Sequence, residues 1–221
     1  MSALTWHEIG TRVYETGVSK GVLYVTDDIG RYGAGVPWNG LINVTDKPEG
    51  AEAKKIYADN IIYATFRSAE EFKYSIEAYT YPPEFGVCDG TKSPIPGVSV
   101  GQQDRRSFGF CYRTEKGDDT ATSSDDVYVL HLIYNSTASP TEKAHDSIND
   151  SPDAATFTWE CDTTPVNVNQ TGYKPTSEIT LDSAVLGKDK MKKIEDKLYG
   201  SVNGAPTLPS PDEVIALLKT A

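Results

Sequence analysis

The run Glu71–Thr80 constrains this chain most. Phe72, Tyr74, Ile76 and Ala78 fall on one side of it, and Glu71, Lys73, Ser75 and Glu77 on the other. Successive side chains of a strand point to opposite faces, so strict alternation predicts a half-buried β-strand. The same period recurs in Trp38, Ile42 and Val44 and in Ile62, Ala64 and Phe66. It returns at Ser107–Thr114, with Phe108, Phe110 and Tyr112 together, and at Ala155–Cys161, with Phe157, Trp159 and Cys161 inward. Val127–Tyr134 is apolar on both faces, as expected of a central strand covered on both sides. Arg12–Thr16, Val22–Val25 and Ser177–Leu181 read as shorter strands. Many short strands separated by Gly- and Pro-rich turns predict a mainly β, antiparallel protein with flanking α, long charged loops and extended termini.

Between the strands 36–45 and 61–67 lies a polar, charged excursion, Asp46–Asn60, far longer than the roughly 2–5 residues of an ordinary hairpin loop. Long loops of that kind are often functional, and its charged residues Asp46, Lys47, Glu49, Glu52, Lys54, Lys55 and Asp59 are candidates for contact with a neighbouring subunit, beside it or stacked on it, an ordinary surface hairpin being the alternative. Three helices are expected. Ser139-Pro140-Thr141-Glu142 has the form of a capping box and opens one over about 140–148. Lys188–Tyr199 carries Met191, Ile194 and Leu198 on one stripe, with Gly200 as its stop. Ser210-Pro211-Asp212-Glu213 is a second capping box, starting a terminal helix with Val214, Leu217 and Leu218. That helix is too short to stand alone and must dock on its own domain or a neighbour. The 221 residues divide into an N-terminal arm with first strands (1–35), a β core (36–183) and a C-terminal helical extension (184–221), all within one domain.

Charge and motifs narrow the function. A formal charge of −11 argues against a protein that grips nucleic-acid phosphates, which needs clustered Lys and Arg. The start MSALTWHEIG lacks the basic and apolar segments of a secretory signal, and no run reaches the length of a membrane span. Gly30, Gly33 and Gly35 lack the spacing of a dinucleotide loop. Cys88, Cys111 and Cys161 are widely spaced and read as buried free thiols. The four carboxylates of Gly117–Asp126 lack the ligand spacing of an EF-hand, and His131 reads as a satisfied core histidine. No HExxH, GxSxG or P-loop is present, so neither catalytic residues nor metal or cofactor ligands are assigned and an enzyme is not expected. Exposed edges and arms suit self-assembly, in which one chain completes its neighbour's sheet.

An ordered series of segments then carries a family likeness. ETGVSKGVLY (Glu15–Tyr24), GVPWNGLINVTDKPEGAE (Gly35–Glu52), YADNIIY (Tyr57–Tyr63) and SAEEFKYSIEAYTYPPEF (Ser68–Phe85) resemble the major tail proteins, or tail tube proteins, of long non-contractile-tailed bacteriophages. So do GQQDRRSFGFCYRT (Gly101–Thr114), SPTEKAHDSINDSPDAATFTWE (Ser139–Glu160) and TTPVNV (Thr163–Val168). The likeness spans about residues 15–200, and is least clear over 118–126 and the last twenty residues.

The resemblance implies a β-sandwich or barrel-like core with one packed helix, a long loop and extended termini. It further implies hexameric rings stacked into a hollow tube around a tape-measure protein, joined by tail terminator and distal tail proteins. Such a tube belongs to the virion, is made in the host cytoplasm, and passes double-stranded DNA without binding it or a membrane. Its lumen is expected to be acidic: DNA carries one negative charge per roughly 1.7 Å, so a basic lining would hold it. Glu71, Lys73 and Glu77 are candidates for that lining, an outer surface or ring interface being the alternative. A carbohydrate-binding or adhesion module, or another virion decoration protein, is the competing expectation.

Overall fold

The computed structural model describes residues 4–120, 127–145, 147, 154–202 and 204–219. The chain is mainly antiparallel β, with 42% strand against 14% helix, so sheet ladders rather than helix packing set its frame. The main sheet is formed by β1 (Tyr14–Val25), β2 (Val36–Trp38), β3 (Leu41–Asp46), β8 (Lys73–Ala78), β9 (Phe108–Gly117), β10 (Tyr128–Ala138), β11 (Phe157–Thr163) and β12 (Glu178–Asp182). Outside it lie β4 (Glu49–Gly50), β5 (Ala53–Ala58), β6 (Ile61–Arg67) and β7 (Glu70–Glu71). The helices are α1 (Ser183–Leu186), α2 (Lys188–Leu198) and α3 (Pro211–Lys219), with a 3-10 turn at Pro83–Val87.

Strand order is β2-β1-β9-β10-β11-β8-β3, and β12 lies along the first half of β10. The sheet curves until its ends meet: a Cβ built on Gly21 of β1 would stand 2.4 Å from Leu41 Cδ1 of β3. Inside the curve, Leu23, Trp38, Tyr74, Ile76, Phe85, Phe110 and Trp159 form one core to which almost every strand contributes. Rings there meet edge to face, as their quadrupoles favour: Trp38–Trp159 at 5.5 Å and 72°, Phe85–Trp159 at 5.1 Å and 79°. Outside the curve, Val22, Tyr24, Cys111, Leu130, Leu132 and Tyr134 are covered by Met191, Ile194 and Leu198 of α2 and Val214 of α3. Both faces of Gly21–Tyr24 in β1, Phe108–Arg113 in β9 and Val129–Tyr134 in β10 are therefore buried, which is why Val127–Tyr134 reads as apolar on both faces. Two buried tyrosines end on backbone carbonyls: Tyr24 donates to Leu198 O at 2.7 Å and Tyr134 to Pro209 O at 3.0 Å. The three cysteines are buried and free.

The C-terminal helices form where their signals stand. Gly200, at φ +84°, follows α2. At the start of α3, the Ser210 amide donates to Glu213 Oε2 at 2.8 Å and the Glu213 amide to Ser210 Oγ at 3.4 Å, a reciprocal capping box. α3 docks on its own sheet.

The strand expected over 36–45 is two: β2 pairs with β1 and β3 with β8, at opposite ends of the sheet order. Four further expectations change. Arg12–Thr16 and Val22–Val25 are not separate strands: β1 runs through Gly17 and Gly21 as one strand, absorbing two register shifts against β9. Glu71–Thr80 is not one strand either; Phe72 interrupts it, leaving β7 paired with β4 and β8 in the main sheet. The strand 61–67 leaves the main sheet and pairs only with β5, so Ile62 and Phe66 are exposed rather than half-buried.

The fourth change is the helix expected over 140–148, which does not form over the described residues 140–145 and 147. Tertiary hydrogen bonds hold that segment to β11: the Ser139 amide donates to Glu160 O at 2.7 Å and the Thr141 hydroxyl to Thr158 O. Lys143 pairs with the buried Asp89. A capping box contributes about 1 kcal/mol, and these contacts outweigh it. Residues 146 and 148, and most of the loop 117–126, lie outside the described residues.

Candidate assembly arm and an acidic cavity

The excursion is half of a hairpin. β5 and β6 pair antiparallel around Asp59 and Asn60, whose φ values of +50° and +66° are those of a tight I′ turn. Asp and Asn tolerate this left-handed region better than other side chains, so an Asp-Asn tip is locally coherent. The root of the arm is held to the body. β4 and β7 pair at Glu49–Glu71, Lys73 Nζ reaches Glu49 at 2.9 Å and Asp162 at 3.3 Å, and Lys47 Nζ reaches Glu160 at 2.6 Å. Gly50, at φ +83°, sits where a Cβ would stand 2.5 Å from the Ala69 carbonyl, so the root turn excludes any other residue without a shift.

Beyond the root the arm is bare. Ile56, Tyr57, Ile61, Ile62, Tyr63 and Phe66 are all exposed large apolar residues, Tyr63 at 74% and Phe66 at 57%. An isolated two-stranded hairpin is marginally stable in water, and contiguous exposed apolar surface marks an interaction site. Residues 51–69 carry three basic side chains (Lys54, Lys55, Arg67) against two acidic (Glu52, Asp59), a local +1 on a chain of −11. Near the N-terminus, Leu4, Trp6 and Ile9 form a second exposed apolar segment, tied down by the Gly10 amide bonding Asp119 Oδ1 at 2.7 Å.

The candidate loop residues thus separate into two groups. Lys47 and Glu49 are anchored to the body, and Asp46 ends β3 beside a cavity; Glu52, Lys54, Lys55 and Asp59 ride on the arm. The candidate lining residues separate as well. Glu71 is on β7 opposite Glu49, while Lys73 and Glu77 share β8, and Lys73 is committed to its two carboxylates. Those carboxylates raise the Lys73 pKa, Glu49 first and Asp162 second. Trp38 and Trp159 are buried, as their strand faces predict.

A cavity of about 280 Å³ opens where β1 and β3 approach without a ladder. At its floor, His131 of β10 is 8% exposed and stacks on Tyr112 of β9, ring centroids 4.4 Å apart and 4° from parallel. His131 Nε2 lies 3.0 Å from Thr114 Oγ1 and 3.3 Å from Glu15 Oε1, and Nδ1 lies 3.3 Å from Glu178 Oε1. The satisfied core histidine expected from the sequence is what stands there. Asp46 at the rim has its pKa raised, first by desolvation and then by Glu178 and Glu15, with His131 opposing. Among the described residues, no three of His, Cys, Asp or Glu converge as metal ligands, and no helix is long and apolar enough to cross a membrane.

No protein-family model and no curated protein matches this chain. The arm was half visible in the sequence, as an excursion too long for a turn. The cavity was not visible, because Glu15, Asp46, His131 and Glu178 lie on four strand segments that only the sheet order brings together.

Proposed function

We propose that this chain is a self-assembling structural subunit, a tail tube protein of long non-contractile-tailed bacteriophages, built as hexameric rings stacked around a tape-measure protein. The observation that carries this reading is the β5–β6 arm: a rooted hairpin with six exposed large apolar side chains that the described residues of its own chain do not cover. A neighbouring copy is the natural cover, since the arm is locally basic and the remainder of the chain strongly acidic. The ordered sequence likeness to tail tube proteins and the acidic balance, which suits a channel that DNA must slide through, support the same reading. Glu77 and Glu71 are proposed for the channel lining; Lys73, held by Glu49 and Asp162, is proposed as a strut beneath it.

Electron microscopy of the purified protein, with and without a tape-measure partner, tests the proposal. Hollow tubes or rings are expected from the intact chain, and none from a variant with residues 51–69 replaced by a short turn. Tubes formed by that variant, or a globular monomer persisting with every partner tried, would overturn the reading.

A further inference from the structure

The arm is not the only uncovered apolar surface. Leu4, Trp6, Ile9, Val13 and Tyr14 lead into β1 with every side chain at least half exposed, Trp6 at 72% and Ile9 at 82%. This segment is nevertheless held in place. The Gly10 amide donates to Asp119 Oδ1 at 2.7 Å, Arg12 pairs with the same carboxylate at 3.5 Å, and the Arg12 guanidinium donates to His7 O at 2.8 Å. A segment fixed by polar contacts while its apolar side chains meet water is a preformed surface, and contiguous exposed apolar surface marks a contact site.

The two surfaces are opposite in charge. Residues 4–15 and the turn 117–120 that holds them carry Glu8, Glu15, Asp118 and Asp119 against Arg12, a local −3, whereas the arm is at +1. An arm meeting another arm would bring like charges together and close a two-fold dimer. An arm meeting a segment brings opposite charges together, and contact between two different patches builds rings or open stacks. Both surfaces leave the sheet at one end: Glu15 of β1 and Asp46 of β3 line the same cavity, the segment preceding the one and the arm's root following the other. That sets arm and segment side by side around a ring rather than at opposite ends of a stack. Together they expose eleven large apolar side chains, on the order of 1,000 Å² of surface, the size at which specific interfaces begin.

We propose that the β5–β6 arm docks on the N-terminal segment, residues 4–14, of the adjoining copy in a ring, with Lys54, Lys55 and Arg67 facing its acidic surround. The proposal rests on the self-assembly reading and adds to it the surface that receives the arm. Within one chain the two do not cover each other, since both are exposed.

Two variants separate the halves of the contact. One lacks anchors of the arm, Tyr63→Thr with Phe66→Thr; the other lacks those of the segment, Trp6→Ser with Ile9→Ser. All four residues are exposed, so both variants should keep the wild-type circular dichroism and urea midpoint. In sedimentation velocity each alone should stay monomeric. Their equimolar mixture should form a one-to-one dimer with a Kd of about 100 µM or tighter, which grows no further because one intact arm and one intact segment remain to pair. Raising salt from about 50 to about 500 mM should weaken that dimer at least threefold, by screening the arm's cations from the segment's carboxylates. Assembly of the segment variant alone would overturn the proposal and leave the self-assembly reading standing, since the arm would then dock elsewhere. A mixture that stays monomeric while the wild type assembles would do the same. A wild type that also stays monomeric would overturn both.

Discussion

Replacing Tyr63 and Phe66 by threonine isolates what the arm contributes. Both side chains are more than half exposed, at 74% and 57%, so a neighbour that covers them removes most of their surface from water. Fully burying a large apolar side chain contributes about 1.5–3 kcal/mol. The uncovered portions of the two residues therefore contribute about 3 kcal/mol to one intersubunit contact, roughly a 100-fold change in its association constant. Repeated around a ring, that loss should abolish assembly at micromolar protein. The folded monomer should hardly notice: exposed sites usually change stability by no more than about 0.5 kcal/mol, and threonine keeps the β propensity of the arm. Sedimentation velocity and electron microscopy read assembly, and urea denaturation reads the monomer. Assembly at the wild-type concentration would refute the reasoning. So would a stability loss above about 1 kcal/mol, which would show that the arm packs on its own chain.

Further outcomes follow from the core, the caps and the charges. Tyr74→Phe should lower stability by about 1–2 kcal/mol in urea denaturation, because the buried Tyr74 hydroxyl donates to Ser136 Oγ at 2.9 Å and Ser136 would lose that partner. Ser210→Ala should lower it by about 1 kcal/mol and speed amide exchange in α3, through loss of the capping box. The Lys116 ammonium, bonded to Asp182, holds that carboxyl below its ordinary value, against a smaller desolvation effect. Its contribution is therefore present above the unfolded carboxyl pKa, near 4, and lost as pH falls through the lower folded value. Urea midpoints of Asp182→Asn should differ from wild type at pH 6 and converge toward it below pH 3. Burial pushes the Cys88 and Cys111 thiols up to about 12 and that of Cys161 up as well, so a thiol reagent at pH 8 should label none of the three until the protein is denatured.

Local signals were legible where a segment's own partners lie close in sequence or its pattern is long. The inward set Trp38, Tyr74, Ile76, Phe108, Phe110 and Trp159, the central strand β10 and the capped helix α3 all stand where alternation and capping chemistry put them. The helix expected after Ser139 failed because a cap of about 1 kcal/mol cannot outweigh a segment tied along β11 and to Asp89. Ile61–Arg67 has the alternation of a sheet strand, but periodicity names the element and not its partner; paired with β5 alone, its apolar side chains meet water. Composition and period, then, determined by themselves that this is an acidic, antiparallel β protein with a long excursion after residue 45. Only the tertiary structure decided that the excursion is a rooted apolar arm, and that Glu15, Asp46, His131 and Glu178 surround one cavity. Both depend on which strands become neighbours, and long-range pairing leaves no mark in local sequence.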